Sequence, residues 1–142
     1  MPTNNRSDYY TQTSKTPDLF SDFLDDFSPH PISGDISRIK NDQSIKQSLR
    51  NLIMTNYGEA LFQPNKGCSI NKALFEPNDT VASDDLTYHI TTTIETSEPR
   101  VSLLDVQVLS NVNTDTLNIN IVFSIINTNI PQSISLFLKR VR

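Results

Sequence analysis

The chain of 142 residues is expected to fold as an α+β domain: two main helices packed on one face of an antiparallel three-strand meander, preceded by a flexible N-terminal arm. Three observations predict this. Apolar residues recur at helical spacing over residues 42–56 and again over about 80–96. From Val101 onward the period falls to two, the period of a strand with one buried face. Between the two regimes stands Pro99, which a helix interior does not accept. Helices before and strands after, with one apolar face per strand, place the helices on one side of the sheet and water on the other. A chain of this size buries roughly two-thirds of its unfolded surface, enough for one core without disulfides or metals.

Residues 1–17 are polar and aperiodic, and such a segment cannot bury enough surface to offset its ordering entropy. Tyr9 and Tyr10 either dock on a partner or stand in the arm by chance. In PDLFSDFLDDFSPHP, Leu19, Phe20, Phe23, Leu24 and Phe27 are interleaved with Asp18, Asp22, Asp25 and Asp26. That pattern predicts one or two amphipathic helical turns, closed by Pro29 and Pro31, that pack on their own domain or dock on another chain. Residues 1–31 are thus an arm with a short docking segment, and residues 32–142 are the domain.

The first long helix is expected over 42–56, where Ile45, Leu49, Leu52 and Ile53 form one stripe. Asp42 or Ser44 caps its start, Gln47 completes a capping box with Ser44, and Gly58 marks its end. The loop GEALFQPNKG takes its turn chemistry from Pro64, Asn65 and Gly67, and a short helix follows through Ile70, Ala73 and Leu74. The second long helix begins between residues 80 and 83, with Leu86, Ile90 and Ile94 buried. Its run Thr91, Thr92, Thr93 has poor helix propensity, so packing of the Leu/Ile stripe has to stabilise it. In the meander, Leu104, Val106 and Val108 alternate with Asp105, Gln107 and Leu109. Leu117, Ile119, Ile121, Phe123 and Ile125 form the next apolar face after a turn at 111–116. Ile134, Leu136 and Leu138 form the last one, opposite Ser133, Ser135 and Phe137, after a break at 127–131.

Composition excludes several functions. The net charge of −4 argues against nucleic acid, whose backbone is held by clustered cations. Cys68 is the single cysteine, so neither a disulfide framework nor a CxxC site exists, and a reducing compartment is expected. The opening MPTNNRSDYYTQ lacks the apolar region of a signal peptide, and no run of ~18 apolar residues suggests a membrane span. Three dispersed glycines cannot form a phosphate-cradling loop. His30 and His89 lack zinc-ligand spacing, and Cys68 reads as a small buried residue, so no metal or cofactor is expected. Glu59, Glu76, Glu95 and Glu98 are the carboxylates a glycosidase would need, but the absence of Trp removes the usual sugar-stacking platform. The constellation that stands out is Glu98-Pro99-Arg100 at the junction of helix and strand. An extended backbone around Pro99 puts both charged side chains on one side, to clasp a partner or to form a surface ion pair.

These pieces, in this order, resemble the sheath-initiator baseplate wedge family of contractile-tailed phages, also called the gene-25-like lysozyme family. The resemblance covers about residues 33–142: the segment SIKQSLRNLIMTNYGE, the turn Pro64-Asn65-Lys66-Gly67-Cys68, Leu74-Phe75-Glu76, and Glu98-Pro99-Arg100 followed by the meander. It is similar to versions found in large T-even-type phages. The resemblance implies a structural assembly protein rather than an enzyme, placed in the virion tail baseplate after assembly in the host cytoplasm. It implies that Glu98, Pro99 and Arg100 contact the large baseplate wedge subunits, and that the tail tube is a neighbour. It further implies that Ser133, Ile134, Ser135, Leu136, Phe137, Leu138, Lys139 and Arg140 share strands with the tail sheath protein and seed its polymerisation. A terminal strand suits that role because it presents unpaired N–H and C=O groups, while Lys139, Arg140 and Arg142 discourage promiscuous pairing or steer one partner. Ala60 departs from the family pattern, in which a basic residue often follows the Gly-Glu pair. The lysozyme name leaves a tail-associated peptidoglycan hydrolase, with Glu59 or Glu98 as its acid, as the alternative. A related injector component of a bacterial secretion system would share the fold. Arg100 weighs against the hydrolase, since a neighbouring cation lowers a carboxyl pKa and a general acid needs it raised.

Overall fold

The computed structural model describes residues 18–75, 80–111, 115–126, 128 and 130–139. Along them run β1 (Ser21–Phe23), β2 (Arg38–Lys40), α1 (Asp42–Met54), α2 (Ile70–Phe75), α3 (Thr80–Ser97), β3 (Val101–Asn111), β4 (Thr116–Ile125) and β5 (Pro131–Lys139).

The Asp-rich segment expected as helical turns is instead a strand. β1 pairs antiparallel with β2, from Ser21↔Lys40 to Phe23↔Arg38, and the ribbon continues through a Pro29↔Ile36 bridge to a turn where the His30 N–H donates to the Asp35 carbonyl at 2.7 Å. Aspartates favour such local alternatives to helix: Asp22 Oδ1 accepts from the Phe23 N–H, and Asp26 Oδ1 from the Ser28 N–H. Phe23 and Phe27 are exposed, so the apolar positions do not share one face.

α1 forms on the expected stripe, with Ile45, Leu49, Leu52 and Ile53 buried. The expected capping box does not form. The cap residue is Asn41, at φ +49° and without a capping side-chain bond, because its Oδ1 accepts from the Leu19 N–H at 2.9 Å and from the Phe20 N–H. Gln47 donates to the Phe23 carbonyl at 2.7 Å, and Ser44 is fully buried with its hydroxyl unpartnered among the described residues. Groups that would have capped the helix tie the preceding ribbon to it. At the other end the chain crosses itself closely. Gly67, at φ +126°, lies where a Cβ would stand 2.6 Å from the Thr55 carbonyl oxygen. The Cys68 N–H donates to that oxygen at 2.7 Å.

α3 buries Leu86, Ile90 and Ile94, and Thr93 of the threonine run adds a bond from its Oγ1 to the Gly67 carbonyl at 3.0 Å. The sheet has the order β3-β4-β5, all antiparallel. Central β4 alternates as expected, burying Leu117, Ile119, Ile121, Phe123 and Ile125 against the stripes of α1 and α3. β3 departs from the simple alternation. Its register with β4 shifts between Leu103 and Asp105, so Leu103 packs on the core while Leu104, expected beside Val106 and Val108, is exposed. A bulge of one residue keeps Val101 and Leu103 inside together with Val106 and Val108. On β5, Leu136 is buried and Ile134 and Leu138 pack on the core, while Phe137 points outward and is 75% exposed.

Candidate functional site

α3 ends where Pro99 removes the next backbone donor, and the chain turns into β3 with the Val101 N–H donating to the Glu98 carbonyl at 3.3 Å. Glu98 and Arg100 do lie on one side of this corner, and they hold each other. Arg100 Nε donates to Glu98 Oε1 at 2.5 Å and Nη2 to Oε2 at 2.7 Å. Ser48 Oγ, from α1, donates to Oε2 at 2.7 Å and accepts from Arg100 Nη2 at 3.2 Å. Glu98 is only 5% exposed, whereas the Arg100 side chain keeps 33%. Burial pushes the Glu98 carboxyl up, but the Arg100 guanidinium and the Ser48 hydroxyl outweigh it and hold the group below the ordinary glutamate value. Hydrogen bonding to Glu98 raises Arg100 in turn, with Asp22 adding to its charge environment. The Phe20 ring lies over the guanidinium, 5.6 Å from Cζ to the ring centroid. Beside the pair opens a polar cleft of about 320 Å³ whose lining includes Asp22, Ser48, Asn51, Gln63 and Lys66. Pro99, a third of Arg100 and this cleft are open to a partner; the Glu98 carboxylate is not. Ser48, Phe20 and Asp22 are members of the site that sequence reasoning missed. Ser48 had a signal, since it is a hydroxyl next to Leu49 and one turn from Ile45 and Leu52 on the inward side of α1.

The second candidate, the strand at residues 133–140, is the outer edge of the sheet. Its ladder with β4 runs from Thr116↔Lys139 to Ser124↔Pro131 without a shift; Arg140 lies outside the described residues. A groove of about 620 Å³ separates this edge from α1, and Leu24 and Ile39 also line it. The opposite edge, β3, is interrupted by its bulge and carries Asp105, bonded to Gln107 at 2.9 Å.

The remaining candidates are scattered. Glu59 is exposed and closes a turn by accepting from the Asn56 N–H at 2.8 Å, Glu95 is exposed on α3, and Glu76 lies outside the described residues. Cys68 is fully buried, and burial pushes its thiol up, away from reactivity. His89 pairs with Asp85 at 3.4 Å one turn away on α3, and His30 Nδ1 faces the N–H groups of Ile32 and Ser33. Among the described residues no group of three or more His, Cys, Asp or Glu side chains could hold a metal ion. No described helix is long and apolar enough to cross a membrane.

Comparison with known proteins places this geometry. The baseplate wedge protein gp25 of Enterobacteria phage T4 is 34% identical over 93 residues, which make up 66% of this chain and 70% of that protein. A protein of Geobacter sulfurreducens, solved as a candidate tail lysozyme, superposes with a TM-score of 0.64 at 22% identity, over 71% of this chain and 92% of that one. A chain of the anti-feeding prophage baseplate superposes with a TM-score of 0.60 at 19% identity, over 87% of each. At those identities the two structures show a shared fold and no more. The family described as baseplate wedge protein gp25 matches residues 40–130, a span holding α1, the Gly67 crossing, α3, the Glu98-Pro99-Arg100 corner, β3 and β4. The chain therefore belongs to the baseplate wedge protein gp25 family.

Proposed function

We propose that this chain is a non-enzymatic assembly protein of a viral contractile tail that joins the baseplate wedge to the sheath and templates sheath polymerisation by strand sharing at β5. The observation that carries this reading is the contrast between the two free edges of the sheet. β3 is blunted by a bulge and a carboxylate, whereas β5 is regular over its whole length and faces an open groove. An extended segment of the sheath protein adds there as a fourth strand, along residues 133–140. The large wedge subunits meet the C-terminal end of α3, where Pro99 is exposed and Glu98 fixes the plane of the Arg100 guanidinium. The tail tube is a further neighbour, and assembly takes place in the host cytoplasm. Residues 32–142 form the wedge and sheath-initiator domain, and the docking segment at the end of the 1–31 arm lends Phe20 and Asp22 to the corner and Leu24 to the groove. The direction of the Glu98 pKa argues against Glu98 as a general acid, since a carboxyl held ionised does not protonate a leaving group.

The test is to incubate the purified chain with wedge subunits and sheath protein of its own phage, beside a peptidoglycan-hydrolysis assay. Capture of both partners without turnover is expected. Failure to capture either, or turnover that Glu98→Gln removes, overturns the reading.

A further inference from the structure

The groove beside β5 has chemistry of its own. One wall is the outer edge of β5, and the other is the face of α1 bearing Gln43, Lys46, Arg50 and Met54. The walls match in length, since eleven helical steps from residue 43 to 54 and five strand steps from 133 to 138 each span about 17 Å. Lys46 and Arg50 stand one turn apart on the helix. Lys46 is half-buried and Arg50 exposed, and neither side chain makes a hydrogen bond or an ion pair among the described residues. The two cations thus stand without an ion-pair partner among the described residues of a chain whose net charge is −4. The acid in the lining, Asp25, already accepts from Asn51 Nδ2 at 2.8 Å.

A strand laid against β5 turns every second side chain toward α1, and side chains two residues apart on a strand are separated by about 6.8 Å. Residues four apart on a helix are separated by about 6 Å along its axis. Two alternate residues of an added strand therefore come into register with Lys46 and Arg50. We propose that the segment received at β5 is acidic: a strand with two carboxylates on one face, two residues apart, set against Lys46 and Arg50. Apolar residues flank them on that face and pack on Leu24, Ile39 and Met54. This rests on strand sharing at β5 and adds the identity of the side chains that are read there.

The experiment titrates the full chain with labelled peptides of about nine residues, the length of a typical strand. One alternates apolar and polar residues with two glutamates on one face, a second replaces the glutamates with lysines, and a third keeps the glutamates but has a central proline. The acidic peptide is expected to bind about tenfold tighter than the basic one, and the proline peptide is expected not to bind. Lys46→Glu combined with Arg50→Glu is expected to reverse the preference, with an unchanged unfolding midpoint as the control for folding. Equal binding of acidic and basic peptides, with the proline peptide excluded, overturns the acidic preference and leaves strand sharing standing. Equal binding of the acidic and proline peptides overturns both, because the groove then holds acids without forming a ladder. No binding by any peptide also overturns both. A dimer of the free chain that the acidic peptide dissociates makes a second copy the occupant and overturns the proposal.

Discussion

Arg100 is held more firmly than its one-third exposure suggests, because the carboxylate it neutralises is buried. Arg100→Ala leaves Glu98 charged with only Ser48 to satisfy it. The expected loss is about 2–3 kcal/mol in chemical denaturation, toward the low end for a broken buried pair because the arginine is partly solvated. The single substitution therefore confounds docking with folding, and Glu98→Gln combined with Arg100→Gln is the cleaner variant for partner binding. The same pair gives a pH dependence. The folded pKa of Glu98 lies below its unfolded value, so its contribution to stability is complete above the ordinary glutamate value and is lost as pH falls through the folded one. Unfolding free energy measured from neutral to acidic pH is expected to fall across that window, and to fall less in Glu98→Gln. Ser44 offers a change of opposite sign: its buried hydroxyl has no partner among the described residues, so Ser44→Ala is expected to gain about 1 kcal/mol. Glu98-Pro99-Arg100 was visible in the sequence as two charges set by a proline. That the pair is buried on its carboxylate side was not, because the groups that close it, Ser48 and Phe20, lie 50 and 80 residues away.

The elements most legible in the sequence are those whose signal is local. The stripe at Ile45, Leu49, Leu52 and Ile53 needs only a helical period, and the alternation through β4 needs only a period of two, so both are found where expected. The β1–β2 ribbon depends on pairing between residues 15 to 19 apart, and nothing in the spacing of Phe20, Phe23 and Leu24 encodes that partner. The β3 bulge was hidden for another reason: Leu103 and Leu104 are adjacent, so either can continue the apolar face. Substitution separates them, with Leu103→Ala expected to cost about 2 kcal/mol and Leu104→Ala less than about 0.5. Gly67 marks the crossing between the α1 exit and α3. Any side chain there meets the Thr55 carbonyl in a backbone conformation that L-residues avoid. Gly67→Ala is expected to cost about 2–4 kcal/mol, by prying apart the Cys68–Thr55 and Thr93–Gly67 bonds. Gly58→Ala, at φ +82° but with open space around it, is the control and is expected to cost about 1 kcal/mol.

At the scale of the molecule, α1 stands between the two surfaces: Ser48 ties it to the Glu98–Arg100 corner, and two residues earlier Lys46 points into the groove beside β5. Neighbours two apart on a helix point about 200° apart, so one rigid element holds the corner and the groove in a fixed relation. β5 is also part of the core, since Leu136 is buried in it and the strand pairs with β4 along its length. Deleting residues 133–142 would strip that packing along with the edge, so a test of strand sharing has to leave β5 in place. Amide hydrogen exchange does so. In the free chain, β4 is bonded on both sides and is expected to exchange slowest, while alternate amides of β5 face solvent and exchange quickly. Addition of the sheath protein, or of an acidic strand peptide, is expected to slow those alternate β5 amides and leave β3 unchanged. Slowing at β3 instead would mean that its bulge does not protect that edge and that the sheet grows from the other side. Slowing of every β5 residue alike would point to general stabilisation of the fold, because an added strand reaches only the outward-facing half of the amides on the edge it joins.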